Sequence, residues 1–178
     1  ASGATGDDTL DVLALSGGAD WGAFGAGYLA RWNELGDDAA VRMPEFDVIG
    51  GISTGALIGT YVASGEPERY RAIEDFYRNT EPAWVQFAGI AAFLPSSTAI
   101  FKVDGIRAEV AAAIDDALIR DLRRARADHR TIAVGTTDLD LGRLQYWELG
   151  AEASADARPH ARIVDILMAA TAIPGAFP

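Results

Sequence analysis

The chain contains no cysteine, only two histidines (His129 and His160), and a single lysine, Lys102, among its 15 basic residues. The lack of cysteine excludes disulfide scaffolds, zinc-cysteine centres and thiol nucleophiles. Positive charge is scarce as well: 26 acidic residues outweigh the basic ones and leave a formal net charge of −11. That balance argues against a nucleic-acid backbone as partner, and against attachment to an anionic membrane through bulk charge. Long hydrophobic runs are missing too. The longest uncharged stretch, Pro82 to Phe101, is interrupted by prolines, Gln86 and Ser96-Ser97-Thr98. Its apolar run of about a dozen residues suits a core or interfacial segment, not a membrane span.

What is present describes one folded domain over residues 1–178, with 49% hydrophobic and 23% charged residues. A chain of this size buries roughly two thirds of its unfolded surface around a single core. The start, Ala1 to Asp8, is small, polar and acidic, without the basic and apolar regions of a signal peptide. Either the protein is cytoplasmic, or a signal removed before Ala1 places it in the cell envelope or outside the cell.

Hydrophobic spacing predicts a short buried strand over Leu10–Leu15, closed by Ser16-Gly17-Gly18, and a helix from Ala23 to about Leu35. A second strand, Phe46–Gly51, opens through glycines into a helix over Ala56–Ala63. An amphipathic helix follows over Glu68–Asn79. A long one is predicted from Asp104 to about Arg126, its arginine-rich end suiting the negative pole of the helix dipole. Thr131–Thr137 and Gly142–Leu149 alternate like strands around a hairpin turn, and Arg162–Ala172 reads as a last helix. Strands alternating with helices point to an α/β layered sheet.

Gly51-Ile52-Ser53-Thr54-Gly55 fits G-x-S-x-G, the nucleophile elbow, between a predicted strand and a predicted helix. In such an elbow a strained turn lifts the serine oxygen above the sheet edge, and the flanking glycines avoid collisions with neighbouring backbone. Gly17-Gly18-Ala19-Asp20-Trp21-Gly22 approximates the dinucleotide pattern G-x-G-x-x-G. The acidic residue that pattern requires would fall near Asp37-Asp38, in a loop and not at a strand end. Neither glycine run is followed by Lys-Ser or Lys-Thr, so a P-loop fails as well. Glycine-lined backbone at a helix start also suits an oxyanion, and two such turns in one sheet would set Ser53 beside the amides of Gly17 and Gly18.

Four segments in order carry a family resemblance: Leu15 to Gly27, Gly51 to Ala56, Thr137 to Gly142, and Ala169 to Pro178. Together they resemble the successive landmarks of patatin-like phospholipases along nearly the whole chain. The resemblance implies a three-layer α/β/α fold with a mainly parallel central sheet. It also implies a serine acyl hydrolase with a Ser-Asp dyad, no catalytic histidine, no metal and no cofactor. By it, Ser53 is the nucleophile and the amides of Gly17, Gly18 and Ala19 form the oxyanion hole. His129 follows an arginine-rich helix end and His160 lies in a polar loop, so neither reads as a triad base.

The chain departs from the family pattern at two points. A third glycine and a basic residue are usual where this chain has Ala19 and Trp21. The dyad aspartate of the family lies in an Asp-Gly-Gly or Asp-Gly-Ala motif beyond the Ile-Pro-x-x-Phe-Pro landmark, which in this numbering falls after Pro178. Asp104-Gly105, the only Asp-Gly pair, precedes the long helix and reads as its N-cap, while Asp138 and Asp140 read as turn residues. Trp21, Trp84, Phe87 and Phe93 are candidate acyl-chain contacts, and the apolar 82–101 segment is a candidate wall, lid or lipid-facing patch. The expected partner is a lipid or long-chain ester, with peripheral membrane contact led by aromatic side chains and not by lysine clusters. A fold kept for binding or scaffolding without turnover is the alternative, and a nucleotide-binding domain a third.

Overall fold

The computed structural model describes residues 9–36, 41–79, 86–87, 101–173 and 176, with backbone alone for 86–87 and 101–102. The predicted segment 82–101 thus lies mostly outside the described residues, including Trp84 and Phe93. Of Phe87 only the backbone is described.

Strand β1 (Val12–Leu15) leads through a 3-10 turn (Ala19–Trp21) into α1 (Gly22–Glu34). Strand β2 (Val48–Ile52) leads through Ser53 into α2 (Thr54–Val62), and α3 (Pro67–Arg78) follows. A two-residue antiparallel pair, β3 (Gln86–Phe87) and β4 (Phe101–Lys102), precedes α4 (Asp104–Ala113) and α5 (Asp116–Ala127). A hairpin of β5 (Thr131–Asp138) and β6 (Arg143–Glu148), then α6 (Leu149–Ala155) and α7 (Pro159–Thr171), complete the described chain.

The main sheet has the order β1-β2-β5-β6, with β1, β2 and β5 parallel and β6 antiparallel. Helices combined with a four-stranded, mostly parallel sheet give the expected fold class, consistent with a patatin-like α/β/α fold. Register places Leu13, Ile49 and Ile132 side by side, and likewise Leu15, Gly51, Val134 and Trp147. These residues point to the core, and the helix α2 against them is buried at all nine positions. The alternating residues Val12, Ile52, Leu144 and Tyr146 are exposed on the opposite face. Strand order explains the asymmetry, because right-handed crossovers that advance steadily in one direction set their helices on one side of a sheet.

Two sequence expectations need correction. The long helix from Asp104 to Arg126 is two helices, broken at Ile114-Asp115, where the Asp115 carboxylate accepts a hydrogen bond from the Leu118 N–H at 2.8 Å and starts α5 afresh. Capping of this kind is worth about 1 kcal/mol, enough to favour a new start over continuation. Asp104 is the first helical residue of α4 and not its N-cap; Val103 holds the cap position, with no side-chain cap bond. Helix α6 was not anticipated: it is seven residues of mainly small side chains with no apolar periodicity. Its start is set by the Glu148 carboxylate, which accepts from Gly150 N–H at 2.9 Å and Ala151 N–H at 2.7 Å.

Candidate active site

Parallel strands β1, β2 and β5 present their C-terminal ends at one edge of the sheet, and the glycine loop, Ser53 and the β5–β6 turn all emerge there. Ser53 sits between β2 and α2 with φ 54° and ψ −126°, a conformation that a residue with a side chain adopts at a cost on the order of 1–3 kcal/mol. Its carbonyl accepts from the N–H groups of Ala56 at 2.9 Å and Leu57 at 3.2 Å, starting α2 immediately beyond the serine.

Close backbone approach on both sides explains the flanking glycines. A Cβ on Gly51 would lie 2.3 Å from the carbonyl oxygen of Gly55, and one on Gly55 would lie 2.3 Å from that of Leu15. Neither position accommodates a side chain without moving backbone. The second contact ties the elbow to the end of β1, where the glycine loop begins. A Cβ on Gly17 would lie 3.2 Å from Ser53 Cβ and 3.9 Å from Ser53 Oγ, so Gly17 lies against the serine.

The loop is exposed from Ser16 to Trp21, and Trp21 itself is 86% exposed. Its turn is closed by Trp21 N–H donating to the Gly18 carbonyl at 3.0 Å, while the Gly22 N–H donates to the carbonyls of Ala19 and Asp20. The N–H groups of Gly17, Gly18 and Ala19 have no partner among the described residues. Ala19 has φ 46°, in the left-handed region.

The histidines lie elsewhere. His129 (φ 62°) ends α5, its N–H donating to Arg126 O while Arg130 N–H donates to Ala125 O, the pattern of a left-handed C-terminal cap. Thr131 is level with Val48 in the sheet, so His129 stands at the edge opposite Ser53. His160 is not in a loop as expected: Pro159 starts α7 there, and His160 in its first turn pairs with Asp116 at 3.0 Å. Asp138 accepts from the N–H groups of Asp140 and Leu141, both at 3.0 Å, and so serves the hairpin turn as expected. Among the described residues no side chain bonds Ser53 Oγ, and no group of three or more His, Asp or Glu is placed to hold a metal ion.

Two residues at this site escaped the sequence reading. Thr54 Oγ1 donates to the Ala19 carbonyl at 2.9 Å, and the Tyr77 hydroxyl from α3 lies beside Thr54. Burial pushes the Tyr77 phenol above its ordinary range, opposed by the Thr54 hydroxyl. Thr54 was visible only as the variable fourth letter of the elbow motif, and nothing in sequence ties Tyr77 to it.

Comparison with protein-family models gives a match over residues 13–178 to the family described as patatin-like phospholipase. Comparison with curated individual proteins gives no match.

Proposed function

From the premise that this chain belongs to the patatin-like phospholipase family, we propose that it is a lipid acyl ester hydrolase of phospholipase A, lysophospholipase or esterase type, with Ser53 as nucleophile. The observation that carries the reading is the strained Ser53 backbone, held between two glycines whose replacement would collide with backbone. Strain at such a position persists only where surrounding structure over-determines it, and it concentrates at reactive sites.

In the proposed cycle Ser53 Oγ attacks the ester carbonyl carbon, and its proton passes to the dyad aspartate, which family order sets after Pro178. Negative charge gathers on the former carbonyl oxygen, where the amides of Gly17, Gly18 and Ala19 and the start of α2 favour it. Collapse breaks the ester bond, the aspartate returns the proton to the leaving alcohol, and water then releases the acyl group by the same route. Gly17 against Ser53 supports this arrangement, since it leaves open the space where the substrate carbonyl would sit.

Peripheral contact with a lipid surface belongs to the same proposal. Trp21 and Phe24 are 86% and 79% exposed at the start of α1, and Leu139 and Leu141 are 67% and 65% exposed on the β5–β6 turn. Both sets belong to the sheet edge that carries Ser53. The acidic balance of the chain favours a zwitterionic surface over an anionic one.

A fluorophosphonate probe applied to the full-length protein tests the nucleophile. Labelling of the wild type and none of Ser53→Ala is expected. Labelling that survives the substitution overturns the assignment, and a wild type that never labels favours binding or scaffolding without turnover.

A further inference from the structure

Ala19 occupies the left-handed region at φ 46°, where a side chain is strained and glycine is not. Something must hold it there. The carbonyl of Ala19 accepts a hydrogen bond at 2.9 Å from Thr54 Oγ1, and Thr54, the residue after Ser53, is only 6% exposed. Behind Thr54 stands Tyr77, on a different helix. Its hydroxyl lies beside Thr54, whose own proton is committed to Ala19.

Packing agrees with this proximity. A Cβ on Gly22 would lie 2.0 Å from Thr54 Cγ2 and 2.6 Å from the Tyr77 hydroxyl oxygen, so the two side chains converge on the first residue of α1. The loop carrying Gly17 and Gly18 is therefore tied at its far end to the residue next to the serine.

Resting on the reading of Ser53 as nucleophile, we propose that Tyr77 and Thr54 form a hydroxyl relay that holds Ala19 left-handed and thereby sets the loop amides against Ser53. Both are positioning residues: the relay ends on a loop carbonyl. Release of Ala19 to an ordinary negative φ turns the Gly18–Ala19 peptide, and with it the Ala19 N–H, away from its present orientation. The turn-closing bond from Trp21 N–H to Gly18 O is then lost as well. Ground-state binding, governed by the acyl chain, is little affected.

The test compares Thr54→Val and Tyr77→Phe in the full-length protein on a short-chain chromogenic ester. Each is expected to lower kcat about tenfold, the worth of roughly one net hydrogen bond, with KM within about twofold. Thr54→Ser, which keeps the hydroxyl, restores most of the loss. In an Ala19→Gly background both losses shrink, because glycine takes the left-handed conformation without help. Amide hydrogen exchange over residues 16–22 is faster in Thr54→Val than in wild type. Unchanged kcat and exchange, or losses undiminished in the Ala19→Gly background, overturn the relay. Full turnover by Ser53→Ala would overturn the nucleophile reading alone, and the exchange comparison would still decide the relay.

Discussion

Ser53 bends through a conformation that side chains avoid, and the residues at −2 and +2 let it do so. Gly51 faces the carbonyl of Gly55 and Gly55 faces that of Leu15, so each glycine makes room for backbone and not for a movable side chain. Gly51→Ala is accordingly expected to cost about 3 kcal/mol, the upper range for overpacking, because neither strand nor helix start can yield locally. Urea unfolding checks this, and a loss under about 0.5 kcal/mol would show that the elbow relaxes. Both glycines were legible as letters of a five-residue motif, but only the constraint on Gly51 is local; the backbone that Gly55 must clear belongs to β1. Thr54 and Tyr77 were not: 23 positions separate them, and only the packing of α3 beside the elbow brings the hydroxyls together.

Among the elements, α2 is buried at all nine positions and carries Tyr61, itself 4% exposed. Burial pushes the Tyr61 phenol from 10.0 up to about 12, against the opposing pull of Arg69. A raised value means that the folded state holds the proton more tightly than the unfolded chain. The resulting stability is therefore complete below about pH 10 and lost as pH rises towards about 12, by up to about 3 kcal/mol. Urea midpoints at about pH 8 and about pH 11 should show the drop in wild type and a smaller one in Tyr61→Phe; equal drops would refute the assignment. Part of the slope remains in the variant, since burial raises Tyr70 and Tyr77 too. Element boundaries were less legible than element types. At Asp115 burial raises the carboxyl, while the Leu118 N–H and Arg69 outweigh it and hold it below its usual range. That charge caps α5 and pairs with Arg69 at 2.6 Å from α3, a contact across 46 residues that periodicity cannot register.

Over the whole molecule, the steady order of β1, β2 and β5 gathers the loops after all three strands at one edge. It also separates them from His129, which stands at the other. Exposed Trp21, Phe24, Leu139 and Leu141 therefore flank the serine from both sides of β2. Sedimentation with zwitterionic lipid vesicles should weaken at least about tenfold for each of Trp21→Ala and Leu141→Ser made singly, since each buried large apolar side chain is worth about 1.5–3 kcal/mol. Binding should change little with salt, because net charge does not drive it. Unchanged sedimentation, or a steep salt dependence, would exclude this edge as the contact.

The sequence by itself determined the α/β class, the elbow with its serine, the hairpin turn around Asp138 and the absence of thiol chemistry. Each depends on residue type at short spacing, which the linear chain displays. Tertiary structure decided the rest. It laid the glycine loop on Ser53, exposed the residues at the serine's edge of the sheet, divided one expected helix in two and brought Tyr77 beside Thr54. These outcomes follow from strand order and helix packing, where the deciding contacts lie tens of residues apart and their energies exist only once the core has closed.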